Sequence, residues 1–174
     1  IQIWTDVDGM LTADPRIIKS PKLVPQLSFA EASELAYFGA KVLHPSTIQP
    51  AVACDIPVRI LNSCRQDGPG TLITSQPGDV KSLVTAIACK RDVTVIEITS
   101  TRMLMAHGFL RRLFEVFDRF QTSVDVVTTS EVSVSVTVDD RQRLTPLLEA
   151  LSEFAEVSCE RNMALVCVVG SRLS

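Results

Sequence analysis

The chain has 174 residues, 46% hydrophobic and 21% charged, the composition of an ordinary globular protein able to bury one good core or two small ones. A net charge of -3, with the basic residues scattered apart from the pairs Lys90-Arg91 and Arg111-Arg112, argues against a nucleic-acid partner, which would need clustered Lys and Arg against the phosphates. No apolar run approaches the ~20 residues that span a bilayer, and no signal peptide or lipidation site is visible, so a membrane is not expected either.

Residues 1 to about 75 read as alternating strand and helix. Ile1 to Trp4 is a short apolar strand running into a turn rich in Asp and Gly. Ser28 with Glu31 forms a capping box, opening a helix through Ala30, Leu35 and Ala36 that should stop near Gly39. Pro45 suits the first turn of the next helix, where Ile48, Ala51 and Val52 supply an inward stripe and Asp55 ends it. Ile56 to Leu61 and Gly70 to Thr74 follow as strands, separated by the turn Asp67-Gly68-Pro69-Gly70.

The stretch Ser75 to Asp79 has linker composition, and a domain boundary is placed there. Val84 to Cys89 and Val93 to Thr99 read as two strands split by the charged turn Lys90-Arg91-Asp92. Leu110, Leu113, Phe114, Phe117 and Phe120 recur at helical spacing. Val124 to Thr129 is a strand, and Val132, Val134, Val136 and Val138 alternate with Ser133, Ser135 and Thr137 as a sheet with one buried face requires. Leu144, Leu147, Leu148 and Leu151 mark a second helix, with Thr145 as cap before Pro146; Ala155 to Glu160 and Ala164 to Val169 close the chain as strands. From Val93 the order is strand, helix, strand, strand, helix, strand, the ferredoxin-like arrangement. The strands carry no aromatic rings of the kind RNA-recognition modules of that order stack on bases. The five cysteines, Cys54, Cys64, Cys89, Cys159 and Cys167, show no CxxC pair and no zinc spacing, and read as buried reduced thiols.

Two constellations carry chemistry. No Walker loop occurs, so any phosphate site is built without one. Thr5-Asp6 at a strand end delivers a hydroxyl and a carboxylate suited to a nucleotide's base, sugar or magnesium; it equally fits an Asx-type turn capping its own backbone. Arg16 and Lys41 are cations able to neutralise transferring phosphate oxygens, or else solvated surface charges. In the second constellation, Gly108 ahead of a helix leaves backbone N-H groups for a carboxylate, and Asp125 in the next strand can receive an ammonium. Together with Met103, His107, Phe109, Leu110, Ser123 and Val124 these fit a free amino acid with a basic side chain. The alternative is that Gly108 only makes the turn and Asp125 is an exposed strand residue.

The segments Ile3-Trp4-Thr5-Asp6-Val7-Asp8-Gly9-Met10-Leu11-Thr12-Ala13-Asp14-Pro15-Arg16 and Phe38-Gly39-Ala40-Lys41-Val42-Leu43-His44-Pro45 resemble the nucleotide-binding end of the aspartokinases. Ser123-Val124-Asp125 and Ser130-Glu131-Val132-Ser133 resemble the ACT domain that follows the kinase domain in that family, so the resemblance runs the whole length. It implies an α/β fold: the C-terminal part of an amino-acid-kinase (carbamate-kinase-like) domain over residues 1–78, then an ACT regulatory region over 79–174. The first ACT domain would cover about 93–161, with 84–89 and 163–170 as strands of an incomplete second one. It also implies ATP contacts from Thr5, Asp6, Arg16, Lys41 and Val42, with Mg2+ accompanying the nucleotide. Leu11 departs from the Tyr of several relatives. A lysine effector would meet Met103, Gly108, Phe109, Leu110, Ser123, Val124, Asp125, Thr129, Ser130 and Glu131, although Ala106 replaces a hydroxyl-bearing residue of some relatives.

The activity so implied is ATP-dependent phosphorylation of L-aspartate to 4-phospho-L-aspartate, the first step toward lysine, threonine and methionine, with feedback by lysine. A homodimer or larger assembly through ACT domains, in the cytoplasm or, for a plant protein, the plastid stroma, goes with it. The chain opens without Met and lacks the family's Lys-Phe-Gly-Gly segment and aspartate-seating residues. It is therefore expected to be a piece spanning the junction of catalysis and regulation, without catalytic residues or activity of its own. Competing readings are a regulatory module sensing lysine or threonine for a separate catalytic chain, and part of a fusion with another enzyme of the pathway.

Overall fold

The computed structural model describes residues 1–38, 42–43, 45–76, 83–103, 107–139 and 142–170. The chain divides into two units, Ile1–Lys90 with Leu165–Ser174, and Arg91–Ala164.

In the first unit the elements are β1 (Gln2–Thr5), β2 (Gln26–Ser28), α1 (Phe29–Tyr37), α2 (Pro45–Ala53), β3 (Val58–Asn62) and β4 (Thr71–Thr74). The strands form one mixed sheet in the order β1-β3-β4-β2, with β1 parallel to β3, β2 parallel to β4, and β3 antiparallel to β4. Met10, Leu27, Leu35, Ile48, Ile60 and Ile73 form its buried core, joined by Ala86, Ala88 and Val169. β2 is absent from the sequence reading because its three residues are too few to display alternation. Helix α2 begins at Pro45 as expected and ends in a Schellman motif: Asp55 takes φ 50 in the left-handed region usual for glycine, while Ile56 N-H donates to Ala51 O at 2.8 Å. Of the expected inward stripe, Ile48 and Ala51 are buried, whereas Val52 is exposed.

The capping box at α1 forms as read. Ser28 Oγ accepts from Glu31 N-H at 3.1 Å, and Glu31 Oε2 accepts from Ser28 N-H at 2.9 Å. The carboxylate does more than cap, because it is buried and its Oε1 accepts from the Thr85 hydroxyl at 2.7 Å. Burial alone would raise its pKa, yet the hydrogen bonds from Thr85 and from the Ser28 backbone and hydroxyl outweigh it and hold the group below its ordinary 4.5. A depressed folded value means that this carboxylate stabilises the fold above the unfolded pKa and stops doing so as pH falls through the folded one. Glu31→Ala strands the Ser28 N-H and the Thr85 hydroxyl and is expected to cost about 2–3 kcal/mol in urea unfolding at pH 7. Glu31→Gln, able to accept from Ser28 and donate to Thr85, should cost about 1 kcal/mol. The gap between the parent and the Gln variant should narrow below about pH 4.5; a constant gap down to pH 3 would mean the charge is irrelevant.

The second unit is built from β5 (Ala86–Thr99), a 3-10 turn (Thr101–Met103), α3 (Phe109–Arg119), β6 (Val127–Thr129), β7 (Ser133–Val138), α4 (Leu144–Ser152) and β8 (Glu156–Val169). Its sheet has the order β6-β7-β5-β8. Counted within the unit this is second, third, first, fourth strand, the ferredoxin-like order, with α3 packed on α4. Ile96, Ile98, Val134, Val136 and Val138 meet Leu113, Phe117, Leu144, Leu147 and Leu151 in the core, as the alternation in β7 requires. Arg143 ties the end of α3 to the start of α4, donating to Phe120 O at 3.1 Å and Gln121 Oε1 at 3.0 Å.

Several expectations are corrected. The two strands expected before and after Lys90-Arg91-Asp92 are one continuous β5, and the closing pair is one continuous β8. Asp92 and Asn162 adopt φ 61 and 59, left-handed steps that these two residue types tolerate, so the polar residues bend a strand rather than reverse it. Each of these strands serves both units. The buried face of α3 is Leu113, Val116 and Phe117, whereas Leu110 and Phe114 are exposed. Arg143, not Thr145, is the α4 cap, with no side-chain cap bond. The segment before Val127 runs alongside β7 without entering β6. Cys54 and Cys64 are exposed and Cys89, Cys159 and Cys167 half-buried, so none is a core thiol, though all five are unpaired. Burial and then Glu34 push the Cys167 thiol up, away from thiolate reactivity.

Candidate nucleotide site

β1 and β3 run parallel with Thr5 opposite Asn62, so both carboxyl ends open at the same edge of the first sheet. Ligands in open α/β sheets bind outside such ends. Ser63 fastens this end, its N-H and Oγ both donating to Thr5 O at 2.8 and 3.0 Å. The chain then turns through Asp6 to Gly9. Gly9 has φ +144, and a Cβ there would stand 2.5 Å from Thr71 Oγ1. That hydroxyl is committed, accepting from Met10 N-H at 2.8 Å and donating to Val24 O at 2.6 Å. Beyond it the chain folds back on itself: Val24 N-H donates to Met10 O and Thr12 N-H to Lys22 O, with Leu11 bridged to Leu23.

This flap carries Asp14-Pro15-Arg16 to the mouth of a cavity of about 370 Å³. Its polar rim includes Thr5, Asp6, Asp14 and Arg16, and its apolar wall includes Leu11, Leu35, Val42 and Ile87. The volume lies within the ~300–1,000 Å³ usual for small-molecule sites. Thr5 Oγ1 donates to Asp6 Oδ1 at 3.1 Å, so hydroxyl and carboxylate present together. Arg16 is held by Asp14 through Nε at 3.0 Å and a terminal nitrogen at 2.6 Å. The hydrogen bond and charge of Asp14 raise the guanidinium pKa, fixing its charge. Only part of its five-donor fork is used there, which leaves N-H groups to meet an anion.

Four of the residues singled out for ATP, Thr5, Asp6, Arg16 and Val42, thus line one cavity; Lys41 lies outside the described residues. The sequence reading missed one wall, formed by Ile87, Ala88 and Cys89 of β5, which the linear sequence places beyond the expected boundary. Ile87 N-H donates to Thr12 O at 2.9 Å, joining that wall to the flap. No local signal marks it, since only packing brings residues so distant in sequence together.

The second constellation falls on two segments of the Arg91–Ala164 unit. At the first, Met103 packs on the core, Gly108 caps α3 at φ 81 with no side-chain cap bond, Phe109 stands edge-on to Phe154 at 5.8 Å, and Leu110 is exposed. At the second, Ser123, Val124 and Asp125 lead into β6, and Thr129, Ser130 and Glu131 turn into β7. Asp125 N-H donates to Thr137 O at 2.9 Å. Ser130 has a local task, its Oγ 2.7 Å from Ser133 Oγ and accepting from Ser133 N-H at 3.0 Å. β6 is an edge strand with all three residues exposed. Ala106 lies outside the described residues.

A family model described as the amino acid kinase family matches residues 1–62. Aspartokinase 1, chloroplastic, of Arabidopsis thaliana is 46% identical across 98% of this chain, and lysine-sensitive aspartokinase 3 of Escherichia coli 41% identical across 100%. The chain is similar to these aspartokinases from end to end. It spans 32% and 40% of those two aspartokinases' lengths. Crystal structures of E. coli aspartokinase III, one with lysine and aspartate (T-state) and one with aspartate and ADP (R-state), superpose with TM-scores of 0.86 and 0.87 at 42% and 41% identity. Each match covers 99% of this chain and 40% of that one. The fold is accordingly the tail of an aspartokinase catalytic domain with a ferredoxin-like ACT-type unit. Among the described residues no helix is long and apolar enough to cross a membrane.

Proposed function

We propose that the protein containing this chain is an aspartate kinase: ATP and L-aspartate give ADP and 4-phospho-L-aspartate, the opening step toward lysine, threonine and methionine. The carrying observation is that Thr5, Asp6, Arg16 and Val42 line one cavity at the end of β1 in a chain similar to aspartokinases from end to end. The apolar wall suits the base, Thr5 and Asp6 the sugar or base edge, and Arg16 with Lys41 the phosphates. The aspartate carboxylate attacks the terminal phosphoryl group in line, and these cations offset the charge on its oxygens. Magnesium usually takes one or two carboxylates plus phosphate oxygens, and Asp6 and Asp14 are the cavity's carboxylates. When bound it supplies further charge neutralisation.

The same reading makes residues 1–78 catalytic and 79–174 regulatory, with about 93–161 as the first ACT domain and 84–89 and 163–170 belonging to a second. Lysine is the effector, held by the residues around Gly108 and Asp125, in keeping with a lysine-sensitive relative and a lysine complex in the same family. The exposed edge of β6 supports pairing of two copies through their regulatory regions. The intact protein should form hydroxylamine-trappable acyl phosphate from ATP and aspartate, lose that activity as lysine is added, and sediment as a dimer or larger. No acyl phosphate from aspartate would overturn the assignment.

A further inference from the structure

Asp8 stands in the turn that delivers Thr5 and Asp6 to the cavity but does not line the cavity itself. Its carboxylate is engaged by residues that do not line the cavity either. Oδ1 accepts from Asn62 Nδ2 at 2.8 Å and Oδ2 from a terminal nitrogen of Arg65 at 2.6 Å. Asn62, the last residue of β3, is buried, and its side-chain Oδ1 accepts from Cys64 N-H at 2.8 Å, so its side-chain amide is locked from both ends. Ser63 meanwhile holds Thr5 O. The short segment 62–65 therefore grips the turn on both sides of Asp6, at Thr5 and at Asp8.

We propose that Asp8, through Asn62 and Arg65, is a positioning residue that sets where Thr5 and Asp6 meet the nucleotide. The proposal rests on the cavity being the ATP site of the kinase. Stability is not its main product: side chains of Asp8 and Arg65 are 37% and 71% exposed, and an ion pair that open contributes little to folding. What the contact does restrict is the set of conformations of the turn, and function at such a site is sensitive to misplacements of about 1 Å. Asp8 and Arg65 act as one device, so their effects should not add.

The test measures ATP affinity of the intact protein by calorimetric titration, and kcat and KM for both substrates by hydroxylamine trapping, for the parent, Asp8→Ala, Asp8→Asn, Arg65→Ala and the Asp8→Ala/Arg65→Ala double variant. Asp8→Ala should weaken ATP binding and raise KM for ATP about five- to tenfold. Asp8→Asn, which still accepts from Asn62, should fall between it and the parent, and the double variant should be no worse than Asp8→Ala alone. KM for aspartate should stay near its parental value, and Tm should fall by no more than a few degrees, the cost of leaving the buried Asn62 amide one acceptor short. Unchanged ATP affinity in Asp8→Ala, additive losses in the double variant, or a fall in Tm with kcat while ATP affinity holds would each overturn the proposal; if Asp8→Ala does not fold, Arg65→Ala carries the same expectations. A parent that binds ATP without phosphorylating aspartate defeats the kinase assignment, and the affinity series then decides the positioning role by itself. A parent that does not bind ATP defeats both.

Discussion

Gly9→Ala should cost the first unit about 3–5 kcal/mol, the sum of placing a side chain at a disallowed backbone conformation and forcing a packed contact apart. At φ +144 the new Cβ would lie 2.5 Å from Thr71 Oγ1, 2.9 Å from Leu23 Cδ1 and 3.1 Å from Thr71 N. Thr71 cannot simply rotate away, because its hydroxyl joins Met10 N-H to Val24 O across the base of the flap. Displacing it would loosen the strand-like pairing of residues 10–12 with 22–24, and with it the placement of Arg16 over the cavity. Gly108→Ala is the control: it too has a positive φ, +81, but a Cβ there meets nothing within 4 Å. It should therefore show backbone strain alone, about 1–2 kcal/mol. Urea unfolding of both variants measures the difference. Equal costs would mean that the flap yields to the extra carbon without loss.

For regulation, Asp125→Ala in the intact enzyme should raise the lysine concentration for half-inhibition by about 10–100-fold, with the activity in the absence of lysine near the parental value. A charge-assisted contact to an ammonium contributes about 1.5–3 kcal/mol, which is the origin of that range. The structure supports a clean reading of this substitution. Asp125 is anchored through its backbone, N-H to Thr137 O at 2.9 Å, and Val126 N-H donates to Thr137 Oγ1 at 2.9 Å. Neither of these two backbone contacts uses the carboxylate that the substitution removes. Threonine is the competing effector and has no second ammonium to pair with Asp125. Inhibition by threonine alone, or lysine inhibition unaltered in the variant, would mean that the ligand or the pocket is wrongly assigned.

Much of this protein was legible as a string of residues because the relevant physics acts within a few positions. Ser28 and Glu31 are three apart and form their reciprocal caps from that spacing alone. The valines of β7 alternate and are buried, and Pro45 opens α2 where expected. Thr5 and Asp6 were marked by standing where an apolar strand runs out. The motifs that resemble aspartokinases carried the likeness, and the relatives bear that out.

Tertiary structure decided what depends on partners distant in the chain. Which side of a helix faces inward follows the neighbour it packs on, so Val52, Leu110 and Phe114 turned out exposed despite helical spacing. A charged triplet that reads locally as a turn became part of β5, since Asp92 can bend left-handed while the strand on either side keeps its partners. The cavity wall from Ile87 to Cys89, the second bond of Glu31 to Thr85, and the grip of Asn62 and Arg65 on Asp8 join residues 45 or more positions apart. Capping and periodicity are written into neighbouring residues through fixed backbone geometry, whereas a cavity exists only where separate segments are brought together by burial of their apolar faces, a force with no direction of its own.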